Sequence, residues 1–184
     1  MRPNLFPLGR RGAGRSASVG GVFDRDRAEP SGQAGAFRAV GSTKVAVFSV
    51  VNALGVIVDR QGRIVRGNLD ATTGERRLPL GEVEGRLARG ESTSVPVGNT
   101  TLSVVVTNQQ LSQQALTQLA RQVHSSMARI IQPFHTPMDG DVLYAVTTNE
   151  AENAALSPVA LGIVASELMW DAILTMADIV ASEG

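Results

Sequence analysis

From Pro158 to about Ala181 the chain is apolar on almost every side of a helix, and no other stretch constrains the fold as strongly. Ser157 offers a side-chain oxygen for the N-cap, and Pro158 stands where proline suits the first helical turn. A helix of that length reaches across a bilayer. Glu167 and Asp171 stand near its middle, however, and carboxylates are costly in hydrocarbon. The stretch is therefore expected to be the central core helix of a globular fold, which the remaining elements must cover.

Several β-forming runs suit that task. Residues 44–51 (KVAVFSVV) read as a buried strand, 56–58 as a second, 100–107 (TTLSVVVT) as a third and 142–148 as a fourth. Asp59 to Gly62 marks a turn. Ser112 is placed to cap a helix expected to run to about Ile131, with Leu116, Leu119, Val123, Met127 and Ile130 on one face. Gln132-Pro133 ends it. A shorter helix is expected near Leu80–Arg89 and a loop over Gly90–Asn99. Residues 1–43 are rich in Gly, Ser, Arg and Pro and show no clean periodicity. The expected class is α+β, with residues 1–184 as a single domain.

With 43% hydrophobic residues the chain has the composition of a folded domain. The absence of cysteine excludes thiolate chemistry and disulfides. Its 17 basic and 17 acidic residues cancel, and aromatic residues are 4% of the chain, so no nucleic-acid partner is expected. Residues 1–20 lack the apolar run of a secretory signal peptide, which points to a cytoplasmic protein with no membrane partner. The zero charge conceals a division. Residues 1–99 hold 15 basic and 9 acidic residues, a balance of +6, whereas residues 100–184 hold 2 basic and 8 acidic residues, a balance of −6. Two such halves attract one another if the fold brings them together.

Three features carry candidate chemistry. Thr100 follows the flexible Gly98-Asn99 and opens a strand. Its β-branched side chain alone accounts for that position, but a second reading is available. A Thr hydroxyl there can attack the Asn99 carbonyl and free Thr100 as a new N-terminus. The new α-amine, with an ordinary pKa of about 7.7–8.0, then serves as the base for the adjacent hydroxyl. Asn52 sits where a strand breaks off; it reads as a turn residue or as an oxyanion donor. Asp139-Gly140-Asp141 places two carboxylates around a glycine, suited to orienting an amine or to perturbing each other's titration. His124 and His135 with these aspartates lack any standard zinc spacing, and the rest of a calcium loop is missing, so neither metal nor cofactor is expected.

Together these segments are recognisable. Gly98-Asn99-Thr100-Thr101-Leu102, Thr107-Asn108, Gln122 to Met127, Gln132 to Thr136 and Met138 to Asp141 resemble the L-aminopeptidase/D-esterase family, on its nylon-oligomer hydrolase side. Upstream, Gly12 to Gly14, Ser16 to Ser18, Gly55 to Arg60 and Val65 to Asn68 fit it too, as does Met169 to Ala172 near the C-terminus. The resemblance implies an N-terminal-nucleophile hydrolase with a four-layer αββα sandwich. It implies cleavage between Asn99 and Thr100, Thr100 as nucleophile, Asn52 in the oxyanion hole, and Asp139 and Asp141 near the nucleophile's amine. Processing would divide the chain into 99 and 85 residues at the charge boundary. Family members are roughly twice as long, and the nylon-hydrolase branch carries a lysine where this chain has Gly21.

Two expectations follow. One is an autoprocessed amide hydrolase acting on small peptides or amino-acid oligomers and forming homo-oligomers of processed chains. The other is a non-catalytic fragment that needs a separately encoded N-terminal half. In either case a sheet deprived of its neighbours exposes an apolar face, and the isolated chain should be less stable than a full family member.

Overall fold

The computed structural model describes residues 6–95 and 98–183. Its main sheet has four strands, β3 (Gln33–Val40), β4 (Thr43–Val50), β7 (Leu102–Gln109) and β9 (Val142–Ala151), in the order β3-β4-β7-β9. The first two neighbouring pairs are antiparallel and β7–β9 is parallel. Two smaller sheets accompany it. They are β1 (Ser18–Val19) with β2 (Glu29–Pro30), and β5 (Val56–Val58) between β6 (Ile64–Arg66) and β8 (Ile131–Gln132). The helices are α1 (Pro79–Ala88), α2 (Gln113–Ser126) and α3 (Pro158–Ser182).

The apolar stretch is a core helix. Ser157 and Ser112 cap α3 and α2, their hydroxyl oxygens accepting from the Ala160 and Ala115 N–H groups at 3.2 Å. Along α3, Leu161, Met169, Ile173 and Met176 are completely buried, in one cluster with Val45, Val47 and Val105 of the sheet. Each such side chain contributes about 1.5–3 kcal/mol by leaving water. The carboxylates expected to be awkward in a membrane lie on the outer side. Glu167 pairs with Arg60 at 2.5 Å and Arg129 at 3.0 Å, and Asp171 with Arg60 at 2.7 Å and Arg38 at 3.1 Å. Arg38 and Arg60 come from the basic half, so the two halves of opposite charge do meet.

Among the described residues, helices cover one face of the main sheet. The run KVAVFSVV reads as buried throughout, but burial alternates: Val45 and Val47 face the helices, whereas Ala46, Phe48 and Val50 are only partly covered. On that second face the register aligns Phe37, Ala46, Val106 and Val146 in one row and Gly35, Phe48, Val104 and Tyr144 in the next. Phe37 is 64% exposed and Tyr144 63%. Among the described residues Phe6 packs there, its ring 4.7 Å from that of Phe48. The fold is thus one helical layer on one sheet, with the sheet's second face apolar.

Other differences from the sequence reading are local. The helix capped by Ser112 ends at Ser126, not near Ile131, because Met127–Arg129 tighten into a 3-10 turn and Ile131 leaves to pair with Ile57. Strands β1, β2, β3, β6 and β8 were not expected. The loop over Gly90–Asn99 includes residues 96–97, which lie outside the described residues.

Candidate active site

Sheet register assembles the site. Val50 pairs with Leu102 across the antiparallel β4–β7 ladder, and Leu102 with Val142 across the parallel β7–β9 ladder. Two residues beyond these pairs, at the same end of the sheet, stand Asn52, Thr100 and Gly140. The parallel pairing continues past the strands as a bridge between Asn99 and Asp139. Residues far apart in the chain thus converge without any sequence signal of their proximity.

The Thr100 hydroxyl donates to the Asn99 carbonyl oxygen at 2.7 Å, the oxygen of the peptide bond joining the two residues. The Gly140 N–H donates to the same oxygen at 2.9 Å. Asn52 and Asn99 line one cavity of about 270 Å³ together with Ser18, Gly21, Arg25 and Gly98. The Ser18 N–H donates to Asn52 Oδ1 at 3.1 Å. That bond orients the amide and leaves its NH₂ group as the end able to donate toward an oxyanion. The Ser18–Gly21 wall is held by a backbone crossing. Gly20 has φ +82°, and a Cβ there would lie 2.1 Å from the Asn68 nitrogen, so only glycine fits.

The two aspartates are engaged on either side of Gly140. Asp139 accepts from the Thr136 hydroxyl at 2.6 Å and its N–H at 3.2 Å, and from the Leu54 N–H at 3.4 Å. Asp141, 8% exposed, accepts from the Thr101 N–H at 2.6 Å and the His135 N–H at 3.1 Å. Burial raises the Asp141 carboxyl above its ordinary range and the Asp139 charge adds to the rise, while the two backbone donors oppose it. Behind them the rings of His124 and His135 meet edge-on, 4.7 Å apart. Burial holds His124 below its ordinary value, the neighbouring His135 adds to this, and Asp141 opposes it. No cluster of three or more metal-ligating side chains occurs among the described residues.

Sequence reasoning named Thr100, Asn52, Asp139 and Asp141. It missed Arg25 as a cavity wall and the Gly140 N–H, a backbone group that no side-chain pattern reveals.

A family model described as peptidase family S58 matches residues 5–182. The chain belongs to that family. The resemblance to the L-aminopeptidase/D-esterase family is thereby borne out. Among its relatives, a 6-aminohexanoate-oligomer endohydrolase of Paenarthrobacter ureafaciens is 50% identical over 94% of this chain and 51% of its own. One from Kocuria sp. is 49% identical over 95% of this chain and 52% of its own. The solved L-aminopeptidase D-Ala-esterase/amidase of Ochrobactrum anthropi, described as a variant of the Ntn-hydrolase fold, superposes with a TM-score of 0.59 at 16% identity. That superposition covers 95% of this chain and 45% of the other. The S58 chain thus spans about half the length of the relatives it matches. The expected α+β class and Ntn-hydrolase type of fold agree with this neighbour.

Proposed function

We propose that this chain is the nucleophile-bearing part of an autoprocessing N-terminal-threonine amide hydrolase. The observation that carries the reading is the Thr100 hydroxyl, hydrogen-bonded to the carbonyl of the bond it would break. It stands at the sheet end shared with Asn52. Self-cleavage frees the Thr100 amine. That amine then takes the hydroxyl proton, the oxygen attacks the substrate amide, and Asn52 donates to the oxyanion. The amine returns the proton to the leaving nitrogen, and water hydrolyses the ester left on Thr100. The substrates are small peptides with a free amino terminus or oligomers of 6-aminohexanoate, the class that the names of its relatives indicate. Processed chains assemble as oligomers, without cofactor.

One observation favours a second reading. The second sheet face is apolar and exposed, and the relatives are twice as long, so the chain by itself is a non-catalytic fragment until a separate N-terminal half covers that face. The test is an activity panel of aminoacyl p-nitroanilides and a 6-aminohexanoate oligomer, with the N-terminal half of the P. ureafaciens relative added or omitted. Turnover lost in Thr100→Ala supports a hydrolase. Turnover only with the added half supports the fragment reading, and none under either condition counts against both.

A further inference from the structure

We propose that the Gly140 N–H is the oxyanion donor for self-cleavage, and that the Asp139-Gly140-Asp141 segment serves to hold it there. The inference rests on the self-cleavage reading and adds a catalytic group to it.

In the unbroken chain the Gly140 N–H already lies 2.9 Å from the Asn99 carbonyl oxygen. That oxygen gains negative charge when the Thr100 hydroxyl attacks. A donor in place before the attack needs no reorganisation, and its bond strengthens as charge develops. The Thr100 Oγ bonds to the Asn99 carbonyl carbon, the bond from that carbon to the Thr100 nitrogen breaks, and the hydroxyl proton ends on that nitrogen. Water then hydrolyses the ester, leaving the Asn99 carboxyl group and restoring the hydroxyl.

The residue type fits the task. A Cβ at position 140 would lie 2.8 Å from Thr100 Oγ1, closer than real Cβ contacts come. Glycine lets the backbone carry its donor against the nucleophile. Its neighbours fix it from both sides. Asp139 is tied to Thr136 by three hydrogen bonds, and Asp141 bridges the N–H groups of Thr101 and His135. Asn52, by contrast, has its amide oxygen engaged by the Ser18 N–H and borders the cavity. The two donors therefore divide the work: Gly140 for the chain's own peptide bond, Asn52 for the substrate.

The test replaces Gly140 by glycolate in the full chain, which exchanges N–H for an ester oxygen and adds no bulk. Cleavage is followed by denaturing mass spectrometry and fold by far-UV circular dichroism. With the fold retained, cleavage is expected to slow by about 10²–10³-fold, the usual effect of removing one oxyanion donor. Cleavage at the unmodified rate overturns the proposal, as does a loss of rate that appears only with loss of fold. Gly140→Ala keeps the N–H but crowds Thr100 Oγ1, and a fall of about 100-fold is expected from the misplaced nucleophile. An alanine variant that cleaves at full rate contradicts the steric half. If the unmodified chain never cleaves, the underlying reading fails; if it cleaves and glycolate does not matter, only this inference fails.

Discussion

Val50 faces Leu102 across the β4–β7 ladder, and that single register brings Asn52 to the sheet end from which Thr100 projects. Because side chains alternate along a strand, a one-residue slip would turn the valines of β4 away from the helices. The hydrophobic pattern that buries Val45, Val47 and Val105 therefore also fixes the geometry of the candidate site.

The proposed function gives Asn52 a donor role beside its observed bond to Ser18, and substitution can separate the two. Asn52→Asp keeps an acceptor for the Ser18 N–H but loses the NH₂ donor. Substrate turnover, measured with whatever half the activity requires, should fall by about 10²–10³-fold with thermal stability little changed. Asn52→Ala should lose the same activity and in addition about 1 kcal/mol of stability, from the broken bond to Ser18. Turnover by Asn52→Asp near the unsubstituted level would remove Asn52 from the mechanism.

The core helix supplies a stability contrast. Ile173 is fully buried and Ile163 is 56% exposed, on the same helix. Ile173→Ala should cost about 2–5 kcal/mol in urea unfolding. Ile163→Ala should stay within about 0.5 kcal/mol. Equal effects would mean that α3 does not pack as described.

Much of this was legible in the residues. The Ser-Pro cap and apolar run announced α3, and the β-branched runs announced β4, β5, β7 and β9. Strand β3 was not legible, since QAGAFRAV mixes small residues with no strong alternation and gains its partner only from β4. Strands β6 and β8 are three and two residues long and exist through backbone pairing with β5. At the candidate site, Thr100, Asn52, Asp139 and Asp141 were named from residue type and resemblance. Their convergence depends on register, and the bond from Gly140 to the Asn99 carbonyl on a main-chain N–H, neither of which a side-chain pattern encodes.

Arg60 ties the two halves together. Its guanidinium stacks 4.6 Å from the Trp170 ring centre while pairing with Glu167 and Asp171. The partners are more than a third exposed or close to it, so solvent screening keeps the total modest. Arg60→Ala should cost about 1 kcal/mol, less in high salt, and Arg60→Lys should recover only part, since ammonium neither forks nor stacks as guanidinium does. Equilibrium unfolding at low and high salt measures both.

His124 predicts the acid limb of stability. Its Nε2 is buried without a hydrogen-bond partner, and its pKa in the fold lies below the ordinary 6.5. Below that pH the unfolded chain takes up a proton that the folded chain resists, so stability falls as pH drops from about 6.5 toward the folded value. His135 and Asp141 are the titratable groups acting on it. Asp141, raised in the fold, contributes in the opposite sense, losing stability as pH rises through its own range. His124→Phe should flatten the decline below pH 6.5 in a thermal-shift series; an unchanged slope would assign the decline to other groups.

The uncovered sheet face should bind an apolar dye and promote association. Val146, 46% exposed in a row with Phe37 and Val106, is the site to interrupt. Val146→Lys should lower dye binding and association measured by sedimentation, with little loss of stability. A monomer that binds no dye would mean the face is already covered.

The most direct measurement is the mass of the purified chain under denaturing conditions. Scission between Asn99 and Thr100 should give fragments of 99 and 85 residues, absent in Thr100→Ala. A chain that remains whole after prolonged incubation, alone and with the relative's N-terminal half, would contradict Thr100 as a self-cleaving nucleophile.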